Sequence, residues 1–137
     1  MTKTGKHRIL VVDDEVRVCK SIRQVLLRED CEVAMALSGE EALRLDAEAP
    51  YDVMIVDLMM PGLSGLDLLK MLRARNPKAR IIMITGYPTM RNTLQAMQLG
   101  AADFLPKPFL PATLRSIVDA ALKAGAGEEP GGSDTRG

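Results

Sequence analysis

Five polar residues stand at the ends of short hydrophobic runs, and together they suit cation and phosphoryl chemistry. Ile9-Leu10-Val11-Val12 leads into Asp13 and Asp14, Val53-Met54-Ile55-Val56 into Asp57, Ile81-Ile82-Met83-Ile84 into Thr85, and Phe104-Leu105-Pro106 into Lys107. If these runs are parallel strands of one sheet, all five side chains meet at its carboxyl edge, where open α/β sheets place ligands. Carboxylates about 4 Å apart repel by about 4 kcal/mol at an effective dielectric of about 20. A cation relieves that strain, and Mg²⁺ favours oxygen ligands while keeping several waters. Asp57 can attack phosphorus to form an acyl phosphate, a reaction governed by positioning and charge neutralisation. Lys107 offers an ammonium for a carboxylate or a phosphoryl oxygen. Pro106 and Pro108 restrict the backbone on either side of it. Thr85 offers a hydroxyl donor.

The elements that must hold these residues alternate along the chain. Residues 8–14 read as a strand buried on both faces, because the apolar run does not alternate. Residues 15–30 carry Val18, Ile22, Val25 and Leu26 at helical spacing. A second strand covers 32–37. Ser38 with Glu41 forms a capping box for a helix that stops before Pro50. The third strand is 52–58, followed by a Pro61-Gly62 turn. Ser64 with Asp67 starts a helix that buries Leu68, Leu69 and Leu72 and ends at Asn76-Pro77. The fourth strand is 80–85. Thr89 caps a fourth helix with an apolar stripe of Met90, Leu94 and Met97, and Gly100 supplies its left-handed terminus. The fifth strand is 102–105. Pro111 suits the first turn of a last helix, which carries Leu114, Ile117, Val118, Ala121 and Leu122; Leu110 before it is a poor cap. This βα alternation implies one parallel sheet with right-handed crossovers and helices on both faces. Residues 1–124 form the expected domain. Residues 125–137 hold five glycines and no large apolar side chain, and are expected to be a flexible tail or linker stub.

Composition narrows the function classes. The 137 residues suit one domain, and 47% of them are apolar, enough for a core. Eighteen basic residues balance 18 acidic ones, which argues against a nucleic-acid footprint. Cys19 and Cys31 lack metal spacing and read as reduced structural thiols. Residues 1–8 are polar and basic, without the apolar stretch of a signal peptide. No apolar run is long enough to span a bilayer. A cytoplasmic location is expected.

Four blocks carry a resemblance: Val11-Val12-Asp13-Asp14-Glu15, Val56-Asp57-Leu58-Met59-Met60-Pro61-Gly62, Ile84-Thr85-Gly86-Tyr87, and Gly100-Ala101-Ala102-Asp103-Phe104-Leu105-Pro106-Lys107-Pro108-Phe109. In this order they resemble the receiver domain of two-component response regulators, over roughly residues 6–123. The resemblance implies a flavodoxin-like α/β fold with five helices and strand order 2-1-3-4-5. It implies that Asp57 accepts a phosphoryl group from a histidine kinase or phosphotransfer protein. Asp14, Asp57 and the Met59 backbone carbonyl would bind Mg²⁺ (or Mn²⁺) directly, and Asp13 would hold it through water. Lys107 would contact the phosphoryl group, Thr85 would hydrogen-bond it afterwards, and Lys107-Pro108 would be a cis peptide. Phe104 stands at the aromatic switch position, where many receivers have tyrosine; it can fill an inward slot but has no hydroxyl.

Further expectations follow. Phosphorylation would rearrange the surface of the fourth helix, fifth strand and fifth helix, including Arg91, Gln95, Gln98, Asp103 and Arg115. That surface would reach a downstream protein or output domain, or a second copy of the chain. Met59 and Tyr87 would crowd the pocket mouth. No DNA-binding helix pair fits after Gly125, and residues 85–109 resemble receivers of nitrogen-regulatory activators.

Three rival classes remain. An aspartate-nucleophile phosphatase of the dehalogenase-like type would want a second aspartate two residues after the first; Glu15 stands there after Asp13. A flavin or nucleotide module would want Gly, Ser or Thr in the first turn, to lay backbone N–H groups on phosphate, where this chain has Asp13-Asp14-Glu15. A receiver-like binding module that is never phosphorylated would not require all five polar residues.

Overall fold

Strands His7–Val12 (β1), Cys31–Ala36 (β2), Val53–Asp57 (β3), Arg80–Thr85 (β4) and Asp103–Pro106 (β5) make one sheet in the order β2-β1-β3-β4-β5. All four pairings are parallel. Helices Val16–Leu26 (α1), Gly39–Glu48 (α2), Gly65–Arg75 (α3), Met90–Gln98 (α4) and Pro111–Gly127 (α5) make the crossovers and close the chain. This is the computed structural model of the protein, and it describes residues 6–127. The arrangement is the doubly wound, flavodoxin-like one.

The central strands sort their side chains by parity, as a pleated sheet demands. Leu10, Val12, Met54, Val56, Ile81 and Met83 pack with Leu68, Leu69 and Leu72 of α3. Ile9, Val11, Val53, Ile55, Ile82 and Ile84 pack with Cys19 and Ile22 of α1 and with Leu114 and Val118 of α5. Each fully buried aliphatic side chain contributes about 1.5–3 kcal/mol. Two such layers hold β1 and β3 rigidly at the centre, where the strand order reverses.

Several boundaries differ from the expected ones. β1 stops at Val12, so Asp13 and Asp14 lie in the turn after it. α1 stops at Leu26 rather than Asp30, because Leu27 is already extended and an Arg28–Cys31 bridge turns the chain into β2. Ser38 Oγ accepts the Glu41 N–H at 3.1 Å. The Glu41 carboxylate, however, accepts the Leu37 N–H at 2.8 Å, one residue beyond the expected box partner. The true reciprocal box is at α4, between Thr89 and Asn92. α5 continues past Gly125, where a tail is expected, as far as Gly127; the remainder of that expected tail, residues 128–137, lies outside the described residues.

The largest difference is the phase of α4. Met90, Leu94 and Met97 do form a stripe, but it faces solvent, with Met90 87% exposed. Ala96 is the buried residue of the helix, and Asn92, Thr93 and Leu99 are half-buried beside it. The Asn92 side chain ties the first turn of α4 to the loop before it. Its Oδ1 accepts the Thr89 N–H at 3.0 Å and its Nδ2 donates to the Tyr87 carbonyl at 3.2 Å.

Candidate functional site

Register brings the acidic residues together. Val12 pairs with Val56 across β1 and β3, so the next residues, Asp13 and Asp57, leave the sheet side by side. The ladder runs one step past several strand ends. Asp13 N–H donates to the Ala36 carbonyl at 3.1 Å, Leu58 N–H to Ile84 at 2.8 Å, and Lys107 N–H to Thr85 at 2.7 Å. Asp13 and Lys107 are therefore anchored by backbone where their side chains depart, and Asp57 is held between its β3 pairing and the Leu58 bond. The Lys107-Pro108 peptide is cis.

Carboxylate oxygens of Asp13, Asp14 and Asp57 all lie within 4.8 Å of one another. Lys107 Nζ donates to Asp13 Oδ2 at 3.0 Å and sits 3.8 Å from Asp57 Oδ1. Asp13 Oδ1 accepts the Glu15 N–H at 2.9 Å, and Asp57 Oδ1 accepts the Met59 N–H at 3.3 Å. Asp13 and Asp57 are buried, whereas Asp14 is exposed. A cleft of about 320 Å³ opens over them, lined by Asp14, Glu15, Asp57, Met59, Gly86, Tyr87 and Lys107. Tyr87 and Met59 stand at its mouth, 75% and 57% exposed.

The electrostatics are those of a crowded anionic nest. Burial pushes the Asp57 carboxyl up to about 6, with the Asp13 charge adding to the effect. Lys107 and the Met59 N–H pull the other way but do not cancel it. Burial opposes the charge on Lys107, yet its hydrogen bond to Asp13 and the charges of Asp57 and Asp13 outweigh that and raise its pKa. One ammonium therefore serves several carboxylates and leaves excess negative charge.

Thr85, like Asp13, is fully buried and absent from the cleft lining, and its Oγ1 accepts the Tyr87 N–H at 3.1 Å. Phe104 is half-buried against the core. Arg91, Gln95, Gln98, Asp103 and Arg115 are all exposed.

Two supporting residues escape a reading of the sequence. Gly65, at the start of α3, donates its N–H to the Leu58 carbonyl at 3.0 Å. A Cβ there would lie 2.6 Å from Leu58 Cα and 2.9 Å from Leu58 O. A glycine at a first helical position is no signal by itself, because glycine weakens a helix chiefly in its interior. Cys19 is the other. Its Sγ lies 3.4 Å from the Asp13 carbonyl, directly beneath the acidic turn. Burial first, and then the Asp13 charge, push the thiol up to about 11, so it is an S–H donor at neutral pH.

Comparison with known proteins decides the family. The family model for the response regulator receiver domain matches residues 9–119. The chain belongs to the receiver domain family. The transcriptional regulatory protein ResD of Bacillus subtilis is 37% identical over 90% of this chain and 51% of its own length. The transcriptional regulatory protein FixJ of Azorhizobium caulinodans is 40% identical over 82% of this chain and 53% of its own. The chain thus spans about half the length of these curated relatives. A receiver domain structure from Clostridium thermocellum superposes with a TM-score of 0.82 at 34% identity, covering 88% of this chain and 97% of that one. The receiver domain of NtrX from Brucella abortus gives 0.79 at 31% identity, covering 84% and 98%. These relatives are regulators rather than conventional enzymes. Among the described residues, no helix of this receiver is long and apolar enough to cross a membrane.

The acidic cluster fits a divalent cation on its own chemistry. Its donors are hard carboxylate oxygens close enough to share one ion, and burial first, then the Asp13 charge, disfavours an ionised Asp57 without one.

Proposed function

We propose that this receiver is a phosphorylation-dependent switch with Asp57 as phosphoacceptor. The observation that carries the reading is Lys107 Nζ placed between Asp13 and Asp57, at 3.0 and 3.8 Å, beside a cleft open to solvent. An oxygen lone pair of ionised Asp57 forms the O–P bond as the P–N bond to a donor phosphohistidine breaks. The bonding pair stays on the imidazole nitrogen, which takes up a proton. Asp13, Asp14, Asp57 and the Met59 carbonyl would hold Mg²⁺, or Mn²⁺ in its place. The ion would neutralise charge developing on the phosphoryl oxygens. Lys107 supplies the second positive contact, and its bond to Asp13 keeps it from swinging out. The donor is a histidine kinase or phosphotransfer protein, and the location is cytoplasmic.

Phosphorylation adds about −1.5 to −2 charges and new acceptor oxygens. The Thr85 hydroxyl then turns to donate its hydrogen to a phosphoryl oxygen, and half-buried Phe104 takes up the space. This favours a rearranged α4, β5 and α5 surface, which contacts an output domain, a separate partner or a second phosphorylated copy. Moving such an equilibrium from 1:99 to 99:1 takes about 5.5 kcal/mol. Charge-assisted hydrogen bonds of about 1.5–3 kcal/mol each can supply it.

Intact-mass analysis with Mg²⁺ and a small phosphodonor tests the reading. One phosphoryl group should appear on the parent chain and none on Asp57→Asn. Phosphorylation of the variant to the same extent would refute it. The same preparation tests the cleft mouth. Tyr87→Ala should admit water and speed loss of the phosphoryl group about threefold, under 1 kcal/mol of barrier. An unchanged decay rate would remove Tyr87 from that role.

A further inference from the structure

We infer that Cys19 is a positioning residue: its thiol holds the main-chain carbonyl of Asp13 and thereby sets the turn that presents Asp13 and Asp14 to the cleft. The inference rests on the proposed function, since it concerns the geometry of the same acidic site. Asp13 lies between the end of β1 and the start of α1, so its carbonyl belongs to neither regular hydrogen-bond pattern. Among the described residues, no backbone N–H reaches that carbonyl, and the Cys19 thiol at 3.4 Å is its partner. The carbonyls of Ala36 and Val11 lie farther off, at 3.8 and 3.9 Å. A thiol has one hydrogen to give, and Asp13 is the nearest acceptor.

The surroundings make this contact matter. Cys19 is fully buried on the inner face of α1, packed with Ile9, Val11 and Ile22, so water cannot replace the thiol. A buried carbonyl left without a donor carries its full desolvation cost. The Asp13 peptide would then turn to find another partner. That peptide bears the carboxylate that bonds Lys107 and the Glu15 N–H, and it leads directly into Asp14. The thiol touches neither cation nor phosphoryl group; it fixes the residues that do.

The test uses the full chain and Mg²⁺ titrated by calorimetry, with thermal melting in parallel. Supporting groups behind metal ligands are worth about 10- to 100-fold in affinity. Cys19→Ala should weaken Mg²⁺ binding about tenfold, the low end of that range. Cys19→Ser keeps a donor of similar size and should stay within about twofold of the parent. Cys31→Ala is the matched control, because Cys31 is buried in the same core but at the far end of β2. It should lower the melting temperature and leave Mg²⁺ affinity unchanged. Parent-like Mg²⁺ affinity in Cys19→Ala would overturn the inference. So would equal weakening in the alanine and serine variants, which would assign the effect to packing alone. Failure of the parent chain to bind Mg²⁺, or to gain a phosphoryl group on Asp57, would instead strike the proposed function. The two failures are therefore read from different samples.

Discussion

Without a divalent cation, Asp57→Asn should be more stable than the parent by about 3 kcal/mol at pH 7.5 and equal to it near pH 4. The sign follows from the direction of the shift. Asp57 titrates from an ordinary 3.8 in the unfolded chain and from about 6 in the fold. Between those values the folded state binds more protons, so stability falls as pH rises. The penalty is absent below the unfolded value, grows through the window and is complete above about 7. A shift of about 2 units corresponds to about 3 kcal/mol, or about 10 °C in melting temperature for a domain of this size. Lys107, whose pKa is raised from 10.5, contributes nothing to the slope here because it stays charged throughout. Urea denaturation of both chains at several pH values in chelator gives the measurement. Parallel curves for mutant and parent would mean that neither burial nor the neighbouring charges penalise the Asp57 carboxylate. Saturating Mg²⁺ should lift the parent far more than the mutant.

Gly65→Ala should cost about 3 kcal/mol, at the upper end of overpacking penalties. The new methyl would strike backbone, not the far end of a flexible side chain: Leu58 Cα at 2.6 Å and Leu58 O at 2.9 Å. Leu58 follows Asp57 directly, so the collision either lifts the start of α3 or displaces the acceptor strand. The melting temperature should fall by about 10 °C. Gly86→Ala is the comparison, because a Cβ there meets nothing within 4 Å. It should change stability by no more than about 0.5 kcal/mol. Equal stability of the two variants would show that α3 tolerates a side chain at its first position.

Much of this was legible in the chain. Buried strands announce themselves as unbroken aliphatic runs, and Asp13, Asp14, Asp57, Thr85 and Lys107 each close one. Once parallel pairing is assumed, their convergence follows from strand direction. Helix starts were legible where a hydroxyl side chain caps, as Ser64 does by accepting the Asp67 N–H at 3.2 Å. What stayed hidden depends on distances between segments remote in sequence. The approach of Gly65 to Leu58 requires knowing where α3 docks. The Cys19 contact requires knowing that α1 passes under the Asp13 turn. The phase of α4 was hidden differently: periodicity shows that Met90, Leu94 and Met97 share a side, but not which side meets the sheet. That depends on what α4 meets on β5 and α3, which the helix alone does not tell.

The outward roll of α4 also sets what it costs to move that helix. The side turned to the sheet presents an amide, a hydroxyl and the Ala96 methyl group, with half-buried Leu99 just beyond the helix end. Within the helix itself the apolar contribution to that seat is small, since one buried methyl group is worth about 0.8 kcal/mol. Its greasy flank already faces water and loses nothing by travelling. A helix seated this way gives up fewer large apolar side chains of its own in moving than α3 would, with Leu68, Leu69 and Leu72 beneath it.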